Sequence, residues 1–293
     1  MINKHTNESV INMSSTKTKK AEIISIASGK GGVGKTLFSI NLAIEASLAG
    51  KKVLVLDGDL GLANIHIMAG IYPDFDLMDV VNNKKTIKEI VVEGPCGIHI
   101  IPGASGIFQL SNLSHVKRQQ LIDQLNEIES LYDLIIIDIE AGINYNVLKF
   151  VSISDRTIIV TTPDLTALSD AYATIKVIRT KKSTENIGVV VNRARSTNEA
   201  DMVFKKLQIA TDKFLNFKIS NYGMIMEDSI TVKESIQQRK PIVIHFPKSK
   251  FGVSIKTVAC VVFNLEAKKI IEPGVLLNRF SMLLENMRTK ESV

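Results

Sequence analysis

Short aliphatic and β-branched runs recur along the chain, separated by longer stretches of mixed polarity. They fall at Glu22 to Ala27, Val53 to Leu56, Ile98 to Ile101, Leu134 to Ile137, Thr157 to Thr161, Ile187 to Val191 and Ile242 to His245. Runs that are apolar at nearly every position, rather than at every second one, are what strands show when helices cover both faces of their sheet. The stretches between are long enough for crossover helices, as over Leu37 to Ala49 before the stop signal Gly50, and over Leu168 to Arg179. The pattern therefore predicts an α/β fold, a doubly wound and mostly parallel sheet flanked by helices. No internal repeat and no Pro-, Gly- or Ser-rich linker divides the body, so one domain is expected over 21–267.

The two ends differ from the body. Residues 1–20 are polar and basic, and are expected to be flexible. In 268–293, Leu276, Phe280, Leu283, Leu284 and Met287 follow at spacings of 4, 3, 1 and 3, which places them on one face of a helix. Such a stripe fits a helix packed on the domain or on a partner subunit, and it fits an anchor lying on a membrane surface.

Composition narrows the class. At 45% hydrophobic residues the chain can bury a large core, yet no apolar run approaches the roughly 20 residues of a spanning helix, the longest near the C-terminus being Val258 to Phe263. The leader has no apolar segment of the kind that directs export. Two cysteines, Cys96 and Cys260, make no disulfide framework, and a reducing cytoplasm is expected. The net charge of +6 hints at nucleic acid until it is divided. Residues 1–20 hold four Lys and one Glu, and 268–293 hold five Lys/Arg and three Glu, so +3 and +2 sit at the ends and +1 is left for the body. Bulk charge gives no warrant for a DNA-binding core, although a patch could be assembled from dispersed residues such as Lys176, Arg179, Lys181, Lys182, Arg193 and Arg195. The five histidines are scattered, and Cys96-x-x-His99 lacks the second ligand pair of a zinc site.

The chemistry is concentrated after the first strand. Gly29-Lys30-Gly31-Gly32-Val33-Gly34-Lys35-Thr36 satisfies G-x-x-x-x-G-K-[ST] and opens a helix. Glycines let the loop curl so that successive backbone N–H groups point at phosphate oxygens, and the helix N-terminus adds its positive end. In that arrangement Lys35 contacts the β- and γ-phosphates of ATP or the β-phosphate of ADP, and Thr36 gives its hydroxyl to Mg2+. Lys30 is a second cation inside the loop, long enough to reach phosphates from the side, including those held by another subunit. The second strand ends in Asp57-Gly58-Asp59, whose acids face the nucleotide crevice, where they can hold Mg2+ through water or orient the attacking water; Asp57 fits a turn-capping carboxylate equally well. Leu134-Ile135-Ile136-Ile137-Asp138 has the form of an apolar strand ending in an Mg2+-binding acid. Asn192 and Arg193 end another strand, where an amide can meet a base and a guanidinium can stack on it.

The run KGGVGKT resembles the deviant P-loop of the MinD/ParA class of ATPases. The segments DGDLGLANIHIMAG, IPGASGIFQLSNLS, TTPDLTALSDAYATIK and PIVIHFPKSK are similar to the flagellar MinD-like ATPases of the FlhG type, also called YlxH or FleN. With the P-loop, the resemblance spans about residues 21–252. It implies an ATPase fold, hydrolysis of ATP with Mg2+, and a homodimer closed around ATP in which Lys30 acts across the interface. It assigns Asp59 as the catalytic or water-orienting acid and Asn64, Ile139 and Glu140 to the switch segments. It further implies cooperation with an FlhF-type GTPase and with flagellar switch-complex (C-ring) proteins, and reversible binding of the C-terminal helix to an anionic membrane at the inner face of the cell membrane; DNA is not expected as a partner.

Some positions depart from that pattern. Relatives carry small or polar residues where Ile139 and Glu140 stand, which implies slow or partner-dependent hydrolysis. His66 replaces an acid, and the leader has no D-Q-A-x-x-L-R run of the kind by which many relatives stimulate FlhF. Two further readings stay open on sequence, a ParA-like DNA-partitioning ATPase and a nucleotide-binding regulator with little turnover.

Overall fold

The computed structural model describes residues 20–59, 64–103, 115–181 and 186–265. The leader over 1–19 and the stripe of Leu276, Phe280, Leu283, Leu284 and Met287 lie outside the described residues.

Eight strands form one sheet: β1 (Glu22–Ala27), β2 (Val53–Gly58), β3 (Val92–Glu93), β4 (His99–Ile101), β5 (Leu134–Ile139), β6 (Arg156–Thr161), β7 (Ile187–Ala194) and β8 (Ser220–Met226). Their order is β3-β4-β2-β5-β1-β6-β7-β8, and every pairing is parallel except that of β3 with β4. The chain runs from β1 toward β2 on one side, and β5 is followed by β6 on the other. The carboxyl end of β1 is therefore where the direction of winding reverses, the crevice in which open α/β sheets bind ligands.

Side chains on alternate strand positions feed two cores. Ile24, Ile26, Val53, Val55, Leu134 and Ile136 pack beneath α1 (Lys35–Leu48) and what proves to be the last described helix, Lys250–Phe263. Leu54, Leu56, Ile137, Ile139, Ile159 and Val191 fill the opposite face. The first core also takes α2 (Ile65–Ala69), through Ile65 and Ala69, while on the second face lie α3 (Leu77–Val81), α4 (Ile87–Ile90), α5 (His115–Glu129), α6 (Tyr145–Ser152), α7 (Leu165–Thr180) and α8 (Thr197–Leu215). After β8 come α9 (Ser229–Gln238), α10 (Ile242–His245) and α11 (Lys250–Phe263).

The expected strands form as β1, β2 and β4 to β7, with ends within two residues except that β7 continues three residues further to Ala194, and the two-residue β3 is added to them. Gly50 stops α1 as expected, in the left-handed region at φ +90. One expectation is overturned: Ile242 to His245 is a short helix and not a strand. Four apolar residues cannot by period alone distinguish the two. Pro241, at φ −58, opens a helical turn, and Val243 donates its N–H to the buried Asn41 Oδ1 of α1 at 3.0 Å, docking the turn on that helix. The strand at that end of the sheet is instead β8, whose Ser-Asn-Tyr-Gly opening hides it from a search for apolar runs.

Candidate nucleotide-binding site

The P-loop leaves β1 through the buried Ser28, whose hydroxyl donates to the Lys30 carbonyl at 3.1 Å. Gly32 and Gly34 both sit at positive φ (+76 and +89), a conformation that turns successive N–H groups toward one centre and that glycine adopts without strain. Gly29 is required for a different reason: a Cβ there would stand 2.4 Å from the backbone of Asp170 in α7. Gly34 directly precedes α1, so the loop empties onto a helix N-terminus. Gly31 and Gly32 are exposed, Val33 is buried in the core below, and Thr36 is half-buried on the first turn of α1.

The two lysines of the loop face opposite ways. Lys35 is 7% exposed, and its Nζ donates to Oδ1 of the fully buried Asp138 at 2.8 Å. Lys30 is exposed, and its Nζ donates to Thr166 Oγ1 at the start of α7, also at 2.8 Å. Asp138 takes a second donor on the same oxygen, the Ser39 hydroxyl at 2.7 Å. Its Oδ2 is buried and has no hydrogen-bond partner. A buried carboxylate oxygen without a donor is costly unless something completes it.

Beside Asp138 in the β2/β5 register lies Asp57, equally buried. Its Oδ1 accepts from the Asp59 N–H and its Oδ2 from the Ile65 N–H, both at 3.1 Å, so it caps the segment that leads from β2 to α2. Burial, and then the adjacent Asp138 charge, push its carboxyl up to about 7 against the pull of those two N–H groups. Asp59 is half-buried at the mouth of the crevice, and Asn64 stands just before α2. His66, on the first turn of α2, has its pKa lowered by burial and by the Arg239 guanidinium, and Nδ1 is buried without a partner.

On the far side of the strand end, Ile139 points into the opposite core and is fully buried, while Glu140 is half-buried and its Oε1 accepts from Asn144 Nδ2 at 2.6 Å. Gly142, at φ +100, donates its N–H to the Ser28 carbonyl at 2.9 Å and so ties this loop to the base of the P-loop. Asn192, buried, braces the P-loop from the other side: its Nδ2 donates to the Val33 carbonyl at 2.7 Å, and its Oδ1 accepts from the Arg193 N–H at 2.9 Å. Arg193 is exposed and in the left-handed region at φ 56. Both line a cleft of about 440 Å³ that continues from Gly34 past Met226, Glu227 and Val232 to Gln237.

The structure thus gathers Lys35, Asp138, Asp59 and the loop glycines around one crevice, with Asn192 and Arg193 at its side and Lys30 turned outward. Asp57 takes the turn-capping role that its place at the end of β2 allows, accepting from the Asp59 and Ile65 N–H groups. Two participants escape a reading of motifs: Ser39 and Thr166 hold Asp138 and Lys30 from 99 and 136 residues away. Of these, Ser39 carries a usable signal, a small polar residue one helical turn beyond Lys35 on the buried face of α1. Among the described residues, no group of three or more His, Cys, Asp or Glu could hold a metal on its own. Mg2+ is bound by few protein groups together with substrate phosphates and water. The orphaned Asp138 Oδ2 fits an ion held in that way.

A family profile described as an AAA domain matches residues 21–191. The antiactivator FleN of Pseudomonas aeruginosa is 34% identical over 238 residues, 81% of this chain and 85% of that one. The flagellum site-determining protein YlxH of Helicobacter pylori is 33% identical over 262 residues, 88% of each. Among solved structures, the septum site-determining protein MinD complexed with Mg-ADP, from Pyrococcus horikoshii, superposes with a TM-score of 0.68 at 26% identity, over 83% of this chain and 96% of that one.

Proposed function

From the premise that the chain belongs to the MinD/ParA family of P-loop ATPases, in the group that includes FleN and YlxH, we propose that it is a switch that dimerises on ATP and regulates flagellar number and placement. The observation that carries this reading is the division of labour between Lys35 and Lys30. One cation is buried where it meets the phosphates of its own site. The other is turned out of that site, held among the described residues by Thr166, and can be exchanged for phosphates presented by a second copy.

ATP enters with its phosphates on the loop N–H groups and its base toward the cleft beside Asn192 and Arg193. Lys35 then moves from Asp138 to the β- and γ-phosphates, and Asp138, still held by Ser39, offers both oxygens to water. Thr36, Asp59 and Asp138 would hold Mg2+, which when bound neutralises phosphate charge and polarises the bond to be cleaved. Asp59 orients the attacking water. Glu140, anchored by Asn144, keeps a carboxylate near the loop where relatives have a small or polar residue, and slows hydrolysis until a partner moves that loop. Loss of the γ-phosphate removes the ligand that both subunits share, and the dimer opens.

The apolar stripe from Leu276 to Met287 serves as a peripheral anchor on the inner face of the cell membrane. Two weak anchors in one dimer bind where one does not, by effective concentration. An FlhF-type GTPase and C-ring proteins are the partners this reading names. Sedimentation with ATP tests it. Lys30→Ala is expected to keep nucleotide binding and stay monomeric, while Lys35→Ala loses nucleotide binding; wild-type-like dimers of Lys30→Ala would sink the trans role.

A further inference from the structure

All parallel strands of the sheet start at one end, so every turn that returns the chain to the sheet lies on the face opposite the P-loop, about 20 Å away by the rise of a six-residue strand. The described chain also enters and leaves there. Arg156, at the start of β6, makes an ion pair with Glu22 Oε1 at 2.6 Å, and its Nη1 donates to the Val262 carbonyl in the last turn of α11 at 2.7 Å. One guanidinium thus ties the first residues after the leader to the last turn before the C-terminal segment. Lys51 Nζ lies 5.8 Å from the ring centre of Phe263 on the same face.

The charges of this basal face are sorted. Three of its acids are turned onto partners: Glu22 onto Arg156, Asp133 Oδ2 onto the Lys52 N–H, and Asp155 Oδ2 onto the Ile23 N–H. Among the described residues of these turns, Lys20, Lys52, Lys181 and Lys218 are exposed, against two exposed acids, Asp155 and Glu93, the latter just before the turn into β4. Between the lysines stand large apolar side chains at helix ends. Leu48, Leu131, Ile153 and Phe214 are 54% to 66% exposed. Single exposed apolar residues are ordinary, but here each closes a helix on the same face.

We propose that this basal face is a second contact with an anionic lipid surface, acting beside the C-terminal stripe; the inference rests on the peripheral anchoring proposed above. Lysines reaching headgroup phosphates around apolar tips that enter the acyl boundary is the composition of an interfacial surface. A duplex would use the lysines and leave the apolar tips in water. The leader adds Lys4, Lys17 and Lys19, and residues 266–293 add the apolar stripe, both joined to the fold at this face. A single weak anchor gives marginal binding, and a basic patch is the usual second signal. Because the face is opposite the P-loop, seating it on lipid leaves the nucleotide site open to ATP.

The test uses the full chain with ATP and vesicles of phosphatidylcholine with or without phosphatidylglycerol. Each lysine near an anionic surface is worth roughly fivefold in partition. The variant Lys52→Glu/Lys181→Glu/Lys218→Glu, with both ends intact, is therefore expected to bind the anionic vesicles at least about a hundredfold more weakly while binding ATP as the wild type does. Leu131→Ser/Ile153→Ser is expected to weaken binding at constant charge. If the wild type pellets and the triple variant pellets equally, the basal face is overturned and the C-terminal anchor stands. If the wild type pellets equally with neutral vesicles, the lysines have no role and the proposal fails. If the wild type pellets with neither, the anchoring reading fails together with this one. If the triple variant loses the wild type's retardation of a DNA duplex at the same salt and keeps its vesicle binding, the face belongs to nucleic acid and the lipid contact is overturned.

Discussion

The two ends of the sheet handle charge in opposite ways. At the carboxyl end Lys35, Asp138 and Asp57 are all but removed from water and held by one another, by Ser39 and by backbone N–H groups. At the amino end three acids are spent on the backbone and on Arg156, and the lysines face outward. The difference follows from what each end must do. Phosphate chemistry needs charges whose positions are fixed before the substrate arrives and whose fields water does not weaken. A docking surface needs charges that stay solvated until the partner comes, because burying them in advance would cost several kcal/mol per ion.

The sharpest way to break this contrast is to remove one cation from the buried cluster. Lys35→Ala leaves Asp138 beside Asp57 with only the Ser39 hydroxyl as a donor, and losing one partner of a buried pair costs about 3–5 kcal/mol. In nucleotide-free protein the unfolding midpoint in urea should fall accordingly. A midpoint unchanged from the wild type would mean that the cluster is not desolvated in solution.

The next effect is a dependence on pH. The Asp57 carboxyl is raised from 3.8 to about 7 in the folded chain. Between those values the unfolded chain ionises while the folded one keeps its proton. The folded state then binds more protons, so stability falls as pH rises. The contribution is complete below 3.8 and lost once pH passes about 7, on the order of a few kcal/mol in all. Asp57→Asn keeps a carbonyl oxygen for one of the two backbone N–H groups and cannot ionise, so its stability should be flatter across that window. Parallel denaturation curves for wild type and variant from pH 4 to pH 7 would show that Asp57 is ionised throughout.

Much of this was legible in the chain. The P-loop could be read because its chemistry is local: eight consecutive residues carry the turn, the cation and the hydroxyl. The strands β1, β2 and β4 to β7 could be read because burial on both faces leaves continuous apolar runs. What could not be read depends on partners far apart in the chain. The sequence offers the Asn192 amide to a base but not the brace it forms under the P-loop, where its Nδ2 donates to the Val33 carbonyl 159 residues away. Thr166 meets Lys30 only because α7 passes over the loop, where the missing Cβ of Gly29 lets it come close. The segment Ile242 to His245 looks like a strand, since apolarity reports burial but not the backbone angle that Pro241 and Asn41 impose. The basal face was hidden because its lysines come from separate turns that only the topology brings together.

The smallest effect separates the two ends by one pair of measurements. Ser39→Ala removes a neutral hydroxyl, a group with no charge at all, yet that hydroxyl is fully buried and donates to Asp138 at 2.7 Å. Loss of a buried bond to a charged acceptor costs about 1.5–3 kcal/mol. Lys52→Glu reverses a full charge, but on the exposed basal face, where substitutions stay within about 0.5 kcal/mol. The neutral change should therefore destabilise the chain more than the charge reversal. It should also raise the Mg2+ concentration needed for half-maximal nucleotide affinity, since Asp138 loses the donor that remains after Lys35 turns to phosphate; Ser39→Thr, which keeps the hydroxyl, should restore it. If Lys52→Glu proved the more damaging of the two, the basal lysines would belong to the stability of the fold, and the division between a buried chemical end and a solvated docking end would not hold.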